Sequence, residues 1–269
     1  MAERRPTTPE DPEGLPEALL TALGQAQDLG FFGDGPLAEP IAHARGFAVS
    51  LREAAPGAAS LTVGGTQSGR SEQWAAWAEQ WAAWASHGPP SFLDLGSGGG
   101  LPGLVLAAEW PSSAVVLLDA HGRRAEALRR AVEACGWQDR VEVVHDRAER
   151  AGRLPELRGS QALVVARSFG PPALVAECSS PFLRDGGLLM VSEPPLHQPQ
   201  GQPPSPGSGP SQAVVGHPQR WPADQLEQLG LVPWRFVTRE FGYQILVQAG
   251  SCPDRFPRRE GVPAKRPLY

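Results

Sequence analysis

The feature that most constrains this chain is a regular alternation of short apolar runs with amphipathic segments, which begins after Pro89-Pro90. The apolar runs that we interpret as strands lie near residues 91–95, 114–118, 141–144, 162–166 and 188–191. The segments that we interpret as helices lie near residues 101–109, 123–134 and 172–183. Such a rhythm is typical of βαβ units, whose strands form a parallel sheet with helices on both faces.

The end of the chain predicts how this sheet is completed. Gly186-Gly187 is expected to turn into the fifth strand, and a last helix is expected near residues 223–229. Two β-rich runs follow, at 234–239 and 243–249, joined by a tight turn at Phe241-Gly242. Together these elements predict an α/β fold with a Rossmann-like, seven-stranded sheet of the class I methyltransferase type. A nicotinamide-binding domain would not need the closing hairpin.

The chain outside this pattern predicts one extension and one insertion. Residues 1–88 are expected to form a helical extension, with a disordered start at 1–14 and a loop at 54–69, and residues 89–269 the sheet domain. The segment 194–219 is rich in Pro, Gly, Ser and Gln, which favours a flexible insertion.

Four tryptophans define one face of a predicted helix in the extension. Trp74, Trp77, Trp81 and Trp84 are spaced 3, 4 and 3 residues apart, and Ser71 is positioned to cap the helix start. Exposed tryptophans could stack on bases, but an aromatic stripe on a helix more commonly packs in a core. We therefore predict that this stripe packs against the sheet.

Composition excludes several classes of protein. Hydrophobic residues make up 41% of the 269, enough for a core, yet no apolar run is long enough to span a membrane. The start lacks the apolar stretch of a secretory signal. Cys135, Cys178 and Cys252 lie far apart without a histidine cluster, which predicts neither disulfides nor a metal site. We expect a cytoplasmic monomer that needs no metal and no membrane.

Charge is unevenly distributed, although the formal net charge is only −5. Residues 1–90 carry 5 basic and 11 acidic side chains, whereas the tail at 253–269 carries 5 basic and 2 acidic ones. The tail is therefore where a phosphate backbone would first meet positive charge, and its prolines are expected to keep it extended. The alternative is that the tail folds onto the acidic N-terminal region.

A glycine-dense turn joins the first strand to the first helix of the sheet domain. Its sequence, from residue 92 to residue 103, is FLDLGSGGGLPG. Such a turn permits positive φ and lets backbone N–H groups approach a ligand closely, and the following helix directs its positive end there. The glycines alone are weak evidence, because Gly98, Gly100 and Gly103 also fit the dinucleotide-binding pattern G-x-G-x-x-G.

Two carboxylates favour S-adenosylmethionine as the ligand of this turn. Asp94 lies near the end of the first strand, where it could hold a cationic amino-acid group or order the loop. Asp119 closes the second strand, 23 residues after Gly96, where it can accept hydrogen bonds from both ribose hydroxyls. The alternative is that Asp94 caps the loop and Asp119 is an ordinary strand-end carboxylate.

The loop after the third strand, residues 145–149, predicts contacts with an adenine ring. Ligands of open parallel sheets lie across the carboxyl ends of the strands, which places Ala148 and Glu149 near the ligand. The same segment could cap a short helix, with Asp146 as the cap and Glu149 closing a capping box.

Arg167 follows the fourth strand and is a candidate for orienting the acceptor base or the donor's carboxylate. The alternative for Arg167 is an ion pair with Asp94 or Glu149. No catalytic base is assigned, since His121 and His145 are candidates only by their nearness to strand ends and are favoured for surface or loop roles.

These segments resemble the bacterial small-subunit ribosomal RNA guanine-N7 methyltransferases, the glucose-inhibited division protein B family. The similar stretches are 94–103, 118–119 with Arg123-Arg124, 145–149, 166–167 and 182–187. The tail sequence from residue 256 to residue 268, FPRREGVPAKRPL, resembles the closing motif of that family and is far more specific than any glycine loop. Together the resemblance covers residues 91–193 and 222–268.

The resemblance implies methyl transfer from S-adenosylmethionine to a guanine of 16S rRNA, free or in the small ribosomal subunit. Since guanine N7 carries a free lone pair, no general base is expected. The cofactor-binding residues predicted from the residues and the resemblance together are Asp94, Gly96, Gly98, Leu101, Asp119, Ala148, Glu149 and Arg167. The predicted RNA-binding residues are Arg123, Arg124, Arg258, Arg259, Lys265 and Arg266.

The chain departs from the family pattern in several places, among them the extra insertion at 194–219 and the acidic residues 1–90. Ser60-Leu61-Thr62 only faintly matches an Asn-Leu-Thr element, the tryptophan helix stands in place of a His/Asp-Ser element, and Glu193 replaces the lysine usual after strand five. A methyltransferase acting on another RNA or a small molecule, and a non-catalytic S-adenosylmethionine-binding interaction protein, therefore stay open. A dinucleotide oxidoreductase is a more distant alternative.

Overall fold

The computed structural model of the chain describes residues 14–55, 68–194, 219–238 and 240–269. The helices are α1 (Glu17–Asp28), α2 (Ala38–Ala54), α3 (Ser68–His87), α4 (Gly103–Glu109), α5 (Gly122–Ala134), α6 (Ala148–Ala151), α7 (Pro172–Ser179), α8 (Ala223–Glu227) and α9 (Val262–Lys265). The strands are β1 (Ser91–Leu95), β2 (Ala114–Asp119), β3 (Val141–His145), β4 (Gln161–Ala166), β5 (Leu183–Glu193), β6 (Leu231–Thr238) and β7 (Gly242–Gln248). The predicted disordered start and flexible insertion lie almost wholly outside the described residues, as does Ser60-Leu61-Thr62.

The seven strands form one sheet in the order β3-β2-β1-β4-β5-β7-β6. Strands β1 to β5 are parallel, whereas β7 runs antiparallel to both β5 and β6. The predicted seven-stranded fold with a closing hairpin is therefore confirmed. Strand order reverses between β1 and β4, and parallel α/β sheets bind ligands at the carboxyl ends of the strands beside such a switch.

The core lies on both faces of the sheet because side chains alternate along each strand. On one face, Phe92 packs with residues of α1 to α5, and on the other Leu93 and Leu95 pack with α6, α7, α8 and the tail. Helices α1 to α3 share their apolar cluster with the sheet. The division of the chain at residues 88 and 89 stays a prediction.

The tryptophan stripe packs against the sheet, as its spacing predicts. Trp81 is fully buried, donates a hydrogen bond from Nε1 to the carbonyl oxygen of Gly186 at 2.9 Å, and lies 4.5 Å from the ring centroid of Trp234 in β6. Trp77 and Trp84 are also buried. The prediction that Ser71 caps this helix is wrong, because α3 begins at Ser68 and Gly69 continues it; an interior glycine costs only about 1 kcal/mol relative to alanine.

The fifth strand is longer than predicted. It begins directly after a 3-10 turn at Ser180–Phe182 and includes Gly186, which has a φ of 72° and lies where the pairing with β4 changes register. A Cβ at Gly186 would lie 2.2 Å from Nε1 of Trp77. Gly186 therefore lies at an irregularity within the strand rather than in a turn before it.

Candidate active site

The glycine-rich turn is fixed to the end of β2 by its own backbone. Gly96, Gly98 and Gly100 have φ values of 73°, 57° and 99°, which favour glycine. The N–H groups of Gly96 and Ser97 both donate to the carbonyl oxygen of Leu118, at 2.8 and 3.0 Å. A phosphate-binding turn instead directs such amides at its ligand. This geometry favours a nucleoside ligand held by carboxylates over a dinucleotide.

Asp119 joins the turn to the second strand. Its Oδ2 accepts a hydrogen bond from the Gly98 N–H at 2.8 Å, and its Oδ1 accepts one from the His121 N–H at 2.8 Å. The residue is only 3% exposed. A carboxylate has about four acceptor positions, so Asp119 can hold the turn and still accept ligand hydroxyls. Its role in holding Gly98 is not evident from the sequence.

Asp94 is a buried carboxylate with one oxygen unused by the protein. Its Oδ2 accepts a hydrogen bond from the Gly103 N–H at 2.9 Å, at the first residue of α4. Its Oδ1 is buried without a hydrogen-bond partner among the described residues. Burial raises the pKa of Asp94 to about 7, against the opposing effects of its hydrogen bonds and of Arg167. A cationic ligand group would satisfy the free oxygen and favour ionisation.

Two aromatic side chains that the sequence did not single out cover the glycine turn. A Cβ at Gly96 would lie 2.6 Å from the Phe169 ring, and one at Gly99 would lie 2.6 Å from the Phe32 ring. Only Gly98 has open space above it, its nearest neighbour being a backbone oxygen at 3.8 Å. Because Gly96 and Gly99 lack side chains, the rings of Phe169 and Phe32 can pack against the turn at these two positions. Over Gly98 the turn is open to a ligand. The remaining turn candidate, Leu101, is buried in the core.

The loop after β3 is held by the C-terminal tail. Ala148 and Glu149 are both 6% exposed, and Glu149 Oε1 accepts a hydrogen bond from the Gly261 N–H at 2.9 Å. Helix α6 begins at Ala148 with Arg147 at its N-cap position and no side-chain cap, so the prediction that Asp146 caps it is wrong. Asp146 accepts hydrogen bonds from the Arg147 N–H and from Arg150 Nε, both at 2.7 Å.

Arg167 is half-buried between the turn and the closing hairpin. Burial lowers its pKa, whereas the carboxylate of Asp94 and the phenol of Tyr243 act to raise it. In the described part of the chain, no ion pair within 4.0 Å joins Arg167 to Asp94 or Glu149, unlike the alternative considered from the sequence. His121 and His145 are exposed, consistent with the surface roles favoured for them.

The basic tail is folded rather than extended. Arg158 donates to the carbonyl oxygens of Phe256 and Cys252, both at 2.9 Å, and the Phe256 ring is buried in the core. Pro263 lies in the first turn of α9, where proline fits because its missing N–H is not needed. Within the described residues the tail packs on α7, so the predicted extended tail is wrong.

The predicted RNA-binding residues differ in their surroundings. Arg123, Arg259, Lys265 and Arg266 are exposed. Arg124 lies over the ring of Phe31, with its guanidinium carbon 5.9 Å from the centroid. Arg258 forms hydrogen bonds from Nη2 and Nε to the carboxylate of Glu177, at 2.6 and 2.9 Å. Arg258 is therefore already neutralised within the protein.

A cavity of about 440 Å³ opens at the carboxyl ends of β4 and β5. Its polar wall contains Glu193, which accepts hydrogen bonds from Arg220 Nε and Trp221 Nε1, each at 2.7 Å. Its other walls include Phe169 and Phe241. Sequence reasoning noted Glu193 only as a departure and did not find the cavity, because its walls come from segments far apart in the chain.

Comparison with known proteins shows the family of the chain. The family model described as rRNA small subunit methyltransferase G matches residues 80–193, which contain the glycine turn and the first five strands. The ribosomal RNA small subunit methyltransferase G of Synechococcus sp. strain RCC307 is 33% identical, covering 67% of this chain and 71% of its own length. The corresponding methyltransferase of Chloroflexus aggregans is 32% identical, over 67% of this chain and 70% of its own length. The chain belongs to this family.

Membership in the rRNA small subunit methyltransferase G family confirms the resemblance drawn from the sequence and the predicted class of enzyme. The donor in this family is S-adenosylmethionine, as the turn and its carboxylates predict. Solved structures similar to this chain include a Corynebacterium glutamicum protein, 14% identical, with a TM-score of 0.49 over 89% of this chain and 93% of that one. A second is the SAH-bound Podospora anserina methyltransferase PaMTH1, 16% identical, with a TM-score of 0.42 over 66% and 63%.

The described residues contain neither a cluster suited to a metal ion nor a helix suited to cross a membrane. Across residues 14–55, 68–194, 219–238 and 240–269, no group of three or more metal-ligating side chains is close enough to hold an ion. In the same residues, no helix is both long enough and apolar enough to cross a membrane.

Proposed function

We propose that this protein acts as a monomer and transfers the methyl group of S-adenosylmethionine to N7 of a guanine in 16S rRNA. The observation that carries the proposal is the hydrogen bond from Gly98 to Asp119, which holds a ligand-binding turn against a carboxylate in a chain of this family. We take the described geometry as support for the donor site and the family as support for the rRNA substrate.

The residues of the turn fit the donor. The unpartnered, buried Oδ1 of Asp94 suits the donor's ammonium group, and the open space over Gly98 suits close approach of the nucleoside. Asp119 would accept the ribose hydroxyls, and Ala148 and Glu149 would border the adenine. The donor, when bound, supplies an electrophilic methyl group on a cationic sulfur.

The protein's contribution to the reaction is alignment and the exclusion of water. Guanine N7 carries a lone pair in the neutral base, so no proton has to be removed before attack. Arg167 is half-buried between the donor turn and the hairpin, where it would position the base or the donor's carboxylate. The exposed His121 and His145 are not required as bases.

Contact with the RNA backbone would come from the exposed basic residues. Arg123 at the start of α5 and Arg259, Lys265 and Arg266 in the tail are free to meet phosphates. We assign Arg258 a structural role instead, because its charge is matched by the buried Glu177. Arg124, packed over Phe31, would contribute less than Arg123.

The experiment is methyl transfer with tritiated donor to 16S rRNA and to small subunits that lack the modification. N7-methylguanosine is then located by reduction and aniline cleavage, which distinguishes N7 from other methylated positions. We expect one labelled guanine with the wild type, and strongly reduced labelling with Asp119→Ala. Glu126→Ala, which removes an exposed carboxylate from α5, is the matched control. Label in another RNA, at another atom, or in no RNA would contradict the proposal.

A further inference from the structure

The cavity at the ends of β4 and β5 has the position expected of a site for the group that receives the methyl. It lies at the carboxyl end of β4, a strand that flanks the sheet switch point, and its volume of about 440 Å³ lies within the range of small-molecule sites. The walls combine aromatic rings with a single buried carboxylate. This combination is suited to a planar, polar ring.

Phe169 connects the cavity with the donor turn. Its ring lies against Gly96, where a Cβ would approach to 2.6 Å, and it also lines the cavity. The preceding residue, Ser168, has a φ of 54°, an uncommon conformation for a residue with a side chain. Left-handed backbone at such a position is costly and is found where a loop must direct a particular side chain. A ring stacked on Phe169 would therefore lie next to the transferred methyl group.

Two further lining residues form an aromatic pair. The rings of His43 and Phe241 stack with centroids 4.2 Å apart and an angle of 2° between planes. Burial, followed by the nearby charge of Arg167, lowers the pKa of His43 to about 4, so this pair is uncharged at neutral pH. The N-terminal helix α2 and the closing hairpin thus complete the cavity together.

Glu193 supplies the polar end of the cavity. Its side chain is 2% exposed, and each oxygen accepts one hydrogen bond, from Arg220 and from Trp221. Each carboxylate oxygen can accept a second bond, so each has one acceptor position that these two bonds do not use. A buried carboxylate whose neighbours are all donors is an acceptor site for a ligand edge that carries N–H groups.

We infer that this cavity holds the acceptor guanine, stacked on Phe169, and that Glu193 accepts hydrogen bonds from its N1–H and N2 amino groups. This inference rests on the proposed function and adds the site that selects the base. In guanine the N2 amino group lies across the ring system from N7. Holding that edge at Glu193 therefore leaves N7 free to face the donor. Adenine presents a lone pair at N1 and no N2 amino group, so the carboxylate would repel it.

The test compares target RNA containing guanine with the same RNA containing inosine, which lacks the N2 amino group, at the modified position. A hydrogen bond to a charged group is worth about 1.5–3 kcal/mol, so the wild type should prefer guanine by roughly 10-fold to 150-fold in kcat/KM. Glu193→Gln should lower that preference to between about 2-fold and 12-fold, because its neutral amide oxygen can still accept a hydrogen bond worth about 0.5–1.5 kcal/mol. Guanine and inosine differ in the intrinsic reactivity of N7. That difference cancels when the guanine-to-inosine preference of the variant is divided by that of the wild type.

Asp224→Asn is the matched control, because it makes the same carboxylate-to-amide change at an exposed position on α8. It should retain the preference for guanine, and S-adenosylhomocysteine affinity should be unchanged in both variants. The inference is overturned if the wild type treats guanine and inosine alike, or if both variants lose the preference together. If the wild type methylates no guanine at all, the proposed function fails instead, which separates the two outcomes.

Discussion

The carboxylate of Glu177 is fully buried, and the guanidinium of Arg258 binds it through two nitrogens from the C-terminal tail. The backbone N–H of Arg258 donates to the same carboxylate at 2.8 Å. These bonds attach the tail to α7, and the Gly261 amide attaches it to Glu149, which we propose borders the donor's adenine. The tail therefore has a structural role next to the proposed donor site in addition to the charges it presents.

Removing Arg258 should destabilise the protein strongly. Arg258→Ala leaves Glu177 as a buried charge without a cation, and breaking such a pair typically costs about 3–5 kcal/mol. We expect a loss of this size in the free energy of unfolding, measured by urea denaturation followed by tryptophan fluorescence. Arg259→Ala, one residue further on and exposed, should change stability by less than about 0.5 kcal/mol. Equal effects of the two substitutions would contradict the structural role of Arg258.

The exposed tail cations should act on RNA affinity and not on stability. For single-stranded RNA, each phosphate that is no longer neutralised by the protein should reduce the slope of log affinity against log salt by about 0.7. Replacing Arg259, Lys265 and Arg266 together with alanine should thus reduce the slope by about 2, measured by filter binding between about 50 and 200 mM salt. Arg52→Ala, an exposed charge on α2, should leave the slope unchanged. If the triple variant had the same salt slope as the wild type, the RNA would bind at a surface other than these tail residues.

Asp119 should control donor affinity. Asp119→Ala removes the acceptor of the Gly98 and His121 amides together with the proposed ribose contact. Since a hydrogen bond to a charged group is worth about 1.5–3 kcal/mol, S-adenosylhomocysteine affinity should fall at least about 10-fold by calorimetry. Asp119→Asn, which keeps one oxygen acceptor, should lose less, and Glu126→Ala should lose nothing. Unchanged affinity in Asp119→Ala would remove the basis of the donor site.

The sheet was predictable from the sequence because its signals are local. The apolar composition of the runs around Phe92 and Val115 indicates strands. The glycines at 96, 98 and 100 indicate a turn, because glycine readily adopts the positive φ that these positions have. The tryptophan spacing likewise specifies a buried helical face. Each of these features is determined by residues that lie only a few positions apart in the sequence.

The details of the site were less predictable because they depend on partners distant in sequence. Arg258 appeared to be an RNA contact because its partner, Glu177, is 81 residues away. Phe169 and Phe32 are ordinary loop residues in sequence, and only the fold brings them against Gly96 and Gly99. Gly186 resembles a turn residue, but the bulk of Trp77, on a different element, is what excludes a side chain there.

Asp94 should make the stability of the protein depend on pH. Burial raises its pKa in the folded state to about 7, above its ordinary value of 3.8. The folded protein therefore binds a proton more tightly than the unfolded chain, so this group favours folding at low pH. That contribution is complete below about pH 3.8 and is lost as pH rises through 7. Above pH 7 the buried carboxylate is ionised, and it lowers the free energy of unfolding by an amount that no longer changes with pH.

Asp94→Asn is the variant that isolates this effect, because its side-chain oxygen can still accept the Gly103 N–H. The measured quantity is the free energy of unfolding of the variant minus that of the wild type. This difference should increase by about 2 kcal/mol between about pH 5 and pH 7, because one pKa unit corresponds to about 1.4 kcal/mol. His43, whose lowered pKa opposes folding on acidification, is present in both proteins and cancels in the difference. Urea denaturation at several pH values measures the difference. A value independent of pH would mean that Asp94 titrates normally in the folded protein, and its free oxygen would then not be a site poised for a cation.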